Sequence, residues 1–427
     1  MRVLFVTNVF RSHLYALVPL AWALRTAGHD VRVAGPPDIA GDIVHTGLPG
    51  VLIGGELRIH EKMAQAVPFY DQMEPADPRG MRTGKSLQTD FGWGDPHAEL
   101  ADFIAGVRTA LFPDDTIDDL VSVARAWRPD LVITDPTAFP GALAARTVGA
   151  AHARQLFGMD RIAQVRAACL ARPGSGGDPL RDWLEPIMHR YGCAFDEEAV
   201  LGQWTVSPLP SFIPGVEGVH YVPARRVPFN GPSIVPRWLE EPPARRRVCM
   251  TLGVTHRDAG MSGISVQELL DAVADLDVEV VATFNAQQLA SVSVVPDNVR
   301  VVDFVPLNAL LPTCSAIVHE GGSGAFAGAL ENGVPQVIVP HDFTVEKWLG
   351  PLANAIGLEE RGAGVYAANA RSLTASVLRD SLKLVLEDPS FAAKAARLRT
   401  EALAMPTPND IVPVLEKLTA EHRSPRS

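Results

Sequence analysis

The sequence predicts an α/β protein made of two doubly wound parallel-sheet domains, and three observations carry that expectation. First, 427 residues exceed what one ordinary core accommodates and divide into two domains of about 200. Second, apolar runs of strand length alternate with helix-patterned segments in two separate series, one starting at residues 3–7 and the other at 248–253. Third, a proline-rich stretch lies between the series and reads as an extended connection. The predicted bounds are 1–207 for the first domain, 208–243 for the linker, 244–405 for the second domain and 406–427 for a terminal helix.

Composition narrows the function. Hydrophobic residues at 47% against 20% charged describe a packed globule, and a formal charge of −11 argues against nucleic acid or an anionic membrane as partner. Any anionic ligand must then rely on local dipoles and polar side chains. Cys169, Cys193, Cys249 and Cys314 are scattered without metal-ligand spacing and read as reduced core residues of a cytoplasmic protein. The chain passes from Met1-Arg2 straight into a strand, and the apolar part of 14–24 is short and holds Pro19, so neither a signal peptide nor a membrane span is expected.

In the first series, residues 3–7 are a buried strand by their unbroken apolar run. Ser12 can N-cap the next helix, whose inner face is Leu17, Leu20, Ala21 and Leu24, and Gly28 ends it. The loop between them, from Asn8 to His13, holds no glycine and so cannot wrap a dinucleotide pyrophosphate, which argues against a nicotinamide oxidoreductase. His13 falls at the helix entrance on the carboxyl edge of the sheet. A helix N-terminus disfavours imidazolium and leaves the ring able to accept a proton, although His13 read alone also fits a helix cap or a solvent-facing histidine.

From about residue 54 to 96 the pattern dissolves into polar, Gly- and Pro-punctuated sequence, and a loop that long in a compact domain is usually functional. Phe69, Tyr70, Phe91 and Trp93 within it can line an apolar pocket or simply pack under the loop. Residues 129–135 form a strand ending in Asp135, a carboxylate on the same edge as His13; by itself Asp135 also fits an N-cap. Residues 204–207 read as the last strand of the domain.

The second series begins at 248–253, with Gly253 and Thr255 where the strand meets the next loop. Asp275-Leu-Asp277 matches a DxD metal motif on paper but precedes its strand instead of following it, and no metal site is expected. Residues 299–307 read as another strand carrying Phe304, Val305 and Pro306. Then comes the most informative stretch: an apolar run ending in His319, the turn Glu320-Gly-Gly-Ser-Gly324, a helix pattern stopped at Gly333, and a second apolar run leading to His341-Asp342. This is a compact β-α-β unit whose right-handed crossover brings His319 and His341-Asp342 to one carboxyl edge. Gly321, Gly322, Ser323 and Gly324 offer backbone amides at a helix N-terminus, a site that suits a diphosphate, with His319 as a further hydrogen-bond donor; a tight turn beside a satisfied loop histidine is the plainer alternative.

These residues resemble a known signature. The run 319–324, followed by GVPQVIVP and His341-Asp342, is similar to the donor-binding motif of inverting nucleotide-sugar-dependent glycosyltransferases of the GT-B fold, in which two Rossmann-like domains face a central cleft and the C-terminal helix crosses back to the first domain. Over essentially its full length the chain most resembles the bacterial enzymes that glycosylate macrolide and aromatic polyketide antibiotics. The resemblance implies that His13, oriented by Asp135, is the general base, and that Thr255, His319, Gly321, Gly322, Ser323 and Gly324 hold the donor diphosphate. It further implies that Phe304, Val305 and Pro306 meet the nucleobase, that His341 and Asp342 read the sugar, and that the region around Phe69, Tyr70, Phe91 and Trp93 shapes the acceptor pocket.

Leu307 replaces the glutamine common in the plant enzymes, and Glu320 sets a carboxylate beside the phosphate site, where its side chain is expected to turn away. The implied reaction moves a deoxysugar from a thymidine or uridine diphosphate donor to a polyketide aglycone, without cofactor or metal, at oxygen or at an aromatic carbon. A haem-thiolate-cytochrome-like auxiliary protein and a homodimer are further partners suggested by the family. The rival readings are a nucleotide-sugar epimerase or hydrolase, or a non-catalytic sugar-nucleotide-binding protein, on the same fold.

Overall fold

The computed structural model describes residues 1–424 apart from 60, 63–94, 173–175, 210–214, 254–263 and 342–349. Two all-parallel sheets organise them. The first contains β1 (Arg2–Val6), β2 (Asp30–Gly35), β3 (Gly50–Leu52), β4 (Leu131–Thr134), β5 (Ala151–Gln155), β6 (Trp204–Ser207) and β7 (Tyr221–Pro223), in the order β3-β2-β1-β4-β5-β6-β7. The second contains β8 (Arg246–Thr251), β9 (Val278–Thr283), β10 (Val299–Val302), β11 (Cys314–His319), β12 (Gln336–Ile338) and β13 (Gly364–Tyr366), in the order β10-β9-β8-β11-β12-β13.

The sequence explains why both sheets are buried on two faces. Along β8, Val248 and Met250 join one apolar cluster with Ala316 and Val318 of β11, whereas Cys249 joins another with Val281 and Ile317. Alternate side chains thus enter cores on opposite sides, which is why these strands read as unbroken apolar runs and not as alternation. Each sheet also reverses its strand order once, between β1 and β4 and between β8 and β11. The register pairs Val6 with Thr134 and Thr251 with His319, so the loops leaving each pair emerge side by side at the switch point where such folds bind ligands.

Among the described residues, 1–59, 95–231 and 405–424 cluster into one compact unit and 232–404 into a second. The strand β7 lies inside the stretch read from sequence as linker. Its three residues carry little apolar signal and end in Pro223, which is tolerated because β7 is an edge strand. A buried polar network anchors it: Arg154 of β5 donates to Asp160 at 3.1 and 2.6 Å and to Thr205 of β6 at 3.0 Å, and the Tyr221 hydroxyl donates to Asp160 at 2.9 Å.

Two further boundaries differ from expectation. The first helix, α1 (Arg11–Thr26), is N-capped at Phe10 without a side-chain hydrogen bond, so Ser12 lies inside its first turn. The strand expected over 299–307 stops at Val302, and Pro306 caps the short helix Leu307–Leu310 instead. The last helix, α2 (Val412–His422), packs on the first unit. His29 pairs with Glu416 at 3.0 Å, the His422 ring lies 5.9 Å from Trp204, and Ser424 N–H donates to the Gly149 carbonyl at 2.9 Å.

Candidate active site

At the β1/β4 switch point the structure brings His13 and Asp135 together. Both are buried, and His13 Nδ1 lies 2.7 Å from Asp135 Oδ2. The other carboxylate oxygen, Oδ1, accepts from Thr137 N–H at 2.9 Å and from the Thr137 hydroxyl at 2.6 Å. Asp135 is not a helix N-cap, because the helix that follows (Pro140–Arg146) is capped at Phe139 without a side-chain hydrogen bond; Oδ1 closes the turn after β4 and Oδ2 lies against the imidazole. Phe157 packs on the ring at a centroid distance of 4.2 Å, with Phe10 at 5.7 Å. Among the described residues, His13 Nε2 makes no hydrogen bond, which leaves it as the atom available to a proton.

Sequence reasoning missed Asn8. It is 1% exposed, its Oδ1 accepts from Phe10 N–H at 2.8 Å, and its Nδ2 lies 2.9 Å from both Thr137 Oγ1 and His13 Nδ1. A lone asparagine after a strand looks like an ordinary turn former, and only the fold shows that it faces the histidine.

The β8/β11 switch point carries the second set. His319 ends β11 fully buried; its Nδ1 accepts from Gly321 N–H at 3.0 Å and its Nε2–H donates to Gln336 Oε1 at 2.8 Å. This differs from the hydrogen-bond donor expected from sequence. Both ring nitrogens are used inside the protein, so His319 sets the glycine turn instead of presenting an N–H outward. Asn354 Nδ2 donates to the Gly321 carbonyl at 3.0 Å and fixes the turn from the other side; Asn354 carried no sequence signal, and Gln336 entered only as part of the run GVPQVIVP. Beyond the turn, the helix α3 (Ser323–Asn332) begins at Gly322 with no side-chain cap and no acidic residue in its first turn, so its leading amides remain available to an anion.

Burial pushes the His319 imidazole down to about 4, with Gln336 opposing, and burial likewise holds His152 of β5 down at about 3, with the Glu198 carbonyl opposing. Both rings are neutral in the folded protein, whereas in the unfolded chain they take up a proton below about 6.5. The unfolded state then binds more protons between about 6.5 and 4, so stability rises with pH through that window and is lost as pH falls through it. The denaturant midpoint is expected to fall between pH 7 and pH 5; a flat profile contradicts two neutral buried rings.

Contrary to the sequence reading, Glu320 does not turn away from the glycine turn, because the buried space beside the two glycine loops takes its carboxylate. It is buried, and its carboxylate lies so close to the glycines of both loops that a Cβ built on Gly253 or Gly322 would stand 1.9 or 2.8 Å from Oε1. Phe304 follows β10 with 46% of its surface exposed, so it is not a core residue and part of its ring is open to a ligand. Val305 and Pro306 are buried behind it, and His341 is buried just after β12. Thr255, Asp342, Phe69, Tyr70, Phe91 and Trp93 lie outside the described residues. Asp275 and Asp277 precede β9 at the opposite edge of the sheet from His319, and among the described residues no group of three or more His, Cys, Asp or Glu could hold a metal ion. No described helix is long and apolar enough to cross a membrane.

Residues 22–253 match the family model for the N-terminal domain of erythromycin biosynthesis protein CIII-like proteins, and residues 267–418 match that for the C-terminal domain. The chain belongs to this CIII-like family. It is 47% identical over 441 residues to aclacinomycin-T 2-deoxy-L-fucose transferase of Streptomyces galilaeus, covering 100% of this chain and 98% of that one. It is 42% identical over 440 residues to the 3-alpha-mycarosylerythronolide B desosaminyl transferase of Saccharopolyspora erythraea, covering 100% of both. Among solved structures, the glycosyltransferase VinC in complex with dTDP superimposes with a TM-score of 0.82 at 38% identity, covering 99% of this chain and 100% of VinC. The CIII-like chain is thus a glycosyltransferase, and its two-domain α/β architecture is the GT-B fold.

Proposed function

We propose that this CIII-like glycosyltransferase moves a deoxysugar from a thymidine diphosphate sugar to a hydroxyl group of a polyketide aglycone, with inversion at the anomeric carbon. The observation that carries the reading is the buried His13–Asp135 pair at the β1/β4 switch point, with Nε2 left over to accept a proton. Relatives acting on such aglycones support the substrate class, and the dTDP complex of VinC supports the nucleotide.

His13 Nε2 takes the acceptor's hydroxyl proton while the oxygen attacks the anomeric carbon. The bond from that carbon to the diphosphate oxygen breaks, and its electron pair leaves with the diphosphate. Asp135 holds the ring through Nδ1–H and balances the imidazolium as it forms. The departing charge falls on the amides at the start of α3, preorganised donors that strengthen as charge develops, and on Thr255, without a metal. His319, Gly321 and Gly322 shape that cradle, Phe304 stacks on the thymine against Val305 and Pro306, and His341 with Asp342 reads the sugar.

Calorimetry with thymidine and uridine diphosphates, followed by a screen of donors and aglycones read by mass spectrometry, tests this. Thymidine diphosphate is expected to bind and a glycosylated aglycone to form, with a haem-thiolate-like auxiliary protein co-expressed where product is absent. Free sugar formed whether or not an aglycone is present would favour a hydrolase instead. Replacing Phe304 by alanine is expected to weaken thymidine diphosphate about tenfold, within the ~1–3 kcal/mol range of base–aromatic stacking. Unchanged affinity would remove the ring from the base site.

A further inference from the structure

We infer that Asn8 is a positioning residue that fixes both the orientation of Asp135 and the protonation pattern of His13. The inference rests on the reading of His13 as the base. Its starting point is an apparent conflict: His13 Nδ1 lies 2.7 Å from Asp135 Oδ2 and 2.9 Å from Asn8 Nδ2, and one nitrogen cannot donate to the first while accepting from the second.

The surrounding bonds resolve it. Asn8 Oδ1 must face Phe10 N–H, its donor at 2.8 Å, so the amide cannot be flipped and its NH2 is turned toward the pair. That group has two protons and two acceptors, Thr137 Oγ1 at 2.9 Å and Asp135 Oδ1 at 3.4 Å. Thr137 passes the contact on, accepting from Asn8 while its own hydroxyl donates to Asp135 Oδ1 at 2.6 Å. Oδ1 is thus occupied by donors and Oδ2 alone is left for the ring, which must carry its proton on Nδ1. The positively polarised NH2 also stands 2.9 Å from Nδ1, so replacing Asn8 takes a partial positive charge from beside the ring.

Asn8 therefore acts through Asp135: by keeping Oδ1 occupied, directly and through Thr137, it leaves Oδ2 to hold the ring proton on Nδ1 and so keeps Nε2 a lone-pair acceptor. Other groups around the ring do not take over that role. Phe10 and Phe157 are uncharged, Arg11 on α1 is paired with Asp42 at 2.9 Å, and Arg226 donates to the Phe157 carbonyl at 2.6 Å, leaving Asp135 as the ionised contact of the ring among the described residues.

The test is the pH dependence of kcat/KM for the full-length enzyme and for Asn8→Ala, Asn8→Asp and His13→Gln, with thymidine diphosphate binding and thermal melting measured on each. Asn8→Ala is expected to lower kcat about tenfold at neutral pH with little change in donor KM, and to move the acid limb of the profile upward by about one pH unit. Asn8→Asp keeps the volume and the acceptor for Phe10 N–H but sets a second carboxylate beside the ring, so the limb is expected to move further in the same direction. It also serves as the deciding variant should Asn8→Ala fail to fold. A loss of kcat with the limb left at its wild-type position in a variant that still binds thymidine diphosphate would mean a merely structural role and overturn the inference. If His13→Gln keeps activity and the limb, the base reading fails first; if His13→Gln is inactive and the Asn8 variants keep the wild-type limb, only the role of Asn8 fails.

Discussion

His13→Ala is expected to reduce sugar transfer by a factor of about 10² to 10⁴ while thymidine diphosphate binds as before. The size reflects the base role proposed for the imidazole, since without that base the acceptor hydroxyl would lose its proton to water as it attacks. The selectivity follows from the architecture. His13 and Asp135 belong to the unit of residues 1–59, 95–231 and 405–424, whereas α3 and its glycine turn belong to residues 232–404, so the substitution leaves the residues of the proposed diphosphate cradle unchanged. The ring also packs on Phe157 at 4.2 Å, so some loss of stability accompanies the change, and melting temperature must be recorded with activity. Transfer within a few-fold of wild type in a folded variant would sink the proposed mechanism.

Gly321→Ala is expected to damage the other half-site. Gly321 has φ +93°, in the region L residues rarely adopt, and a Cβ there would stand 2.9 Å from Pro351 Cβ and 3.0 Å from Ile338 Cγ2. Strain at such a φ costs about 1–3 kcal/mol, and overpacking a tight site costs about 1–3 kcal/mol more. The turn can relieve the clash only by shifting, which breaks the bonds to His319 Nδ1 and Asn354 and moves the first amides of α3. Thymidine diphosphate affinity is therefore expected to fall at least tenfold together with stability. Gly28→Ala is the control, because Gly28 has φ +91° with nothing within 4 Å of a built Cβ. It carries the backbone strain without the clash, so it is expected to lower stability and leave nucleotide affinity unchanged. Equal behaviour of the two variants would show that the crowding around Gly321 is unimportant.

What was legible in the sequence had a local cause. The runs that became β1, β4, β8 and β11 are buried on both faces, so burial wrote itself into consecutive apolar residues, and the residues at their ends could be assigned to one edge. The glycine turn after His319 was legible because a backbone with positive φ leaves few choices of residue. The remainder depended on partners distant in the chain. Whether His319 offers a nitrogen outward is decided by Gln336 and Gly321, and whether Asn8 is a turn former or a clamp is decided by Thr137 and Asp135, 129 and 127 positions away. The strand β7 escaped notice because its attachment comes from the Arg154–Asp160 network and not from its own apolar content.

The return of α2 to the first unit bears on synthesis of the chain. Glu416, His422 and Ser424 contact His29, Trp204 and Gly149, residues that leave the ribosome long before them. At about 5–20 residues per second, translating residues 232–404 takes roughly 10–35 s. During that interval the older half waits without its closing helix, its surface around Trp204 and His29 uncovered, and a nascent chain stalled before residue 412 carries a half-finished first unit however complete the second one is.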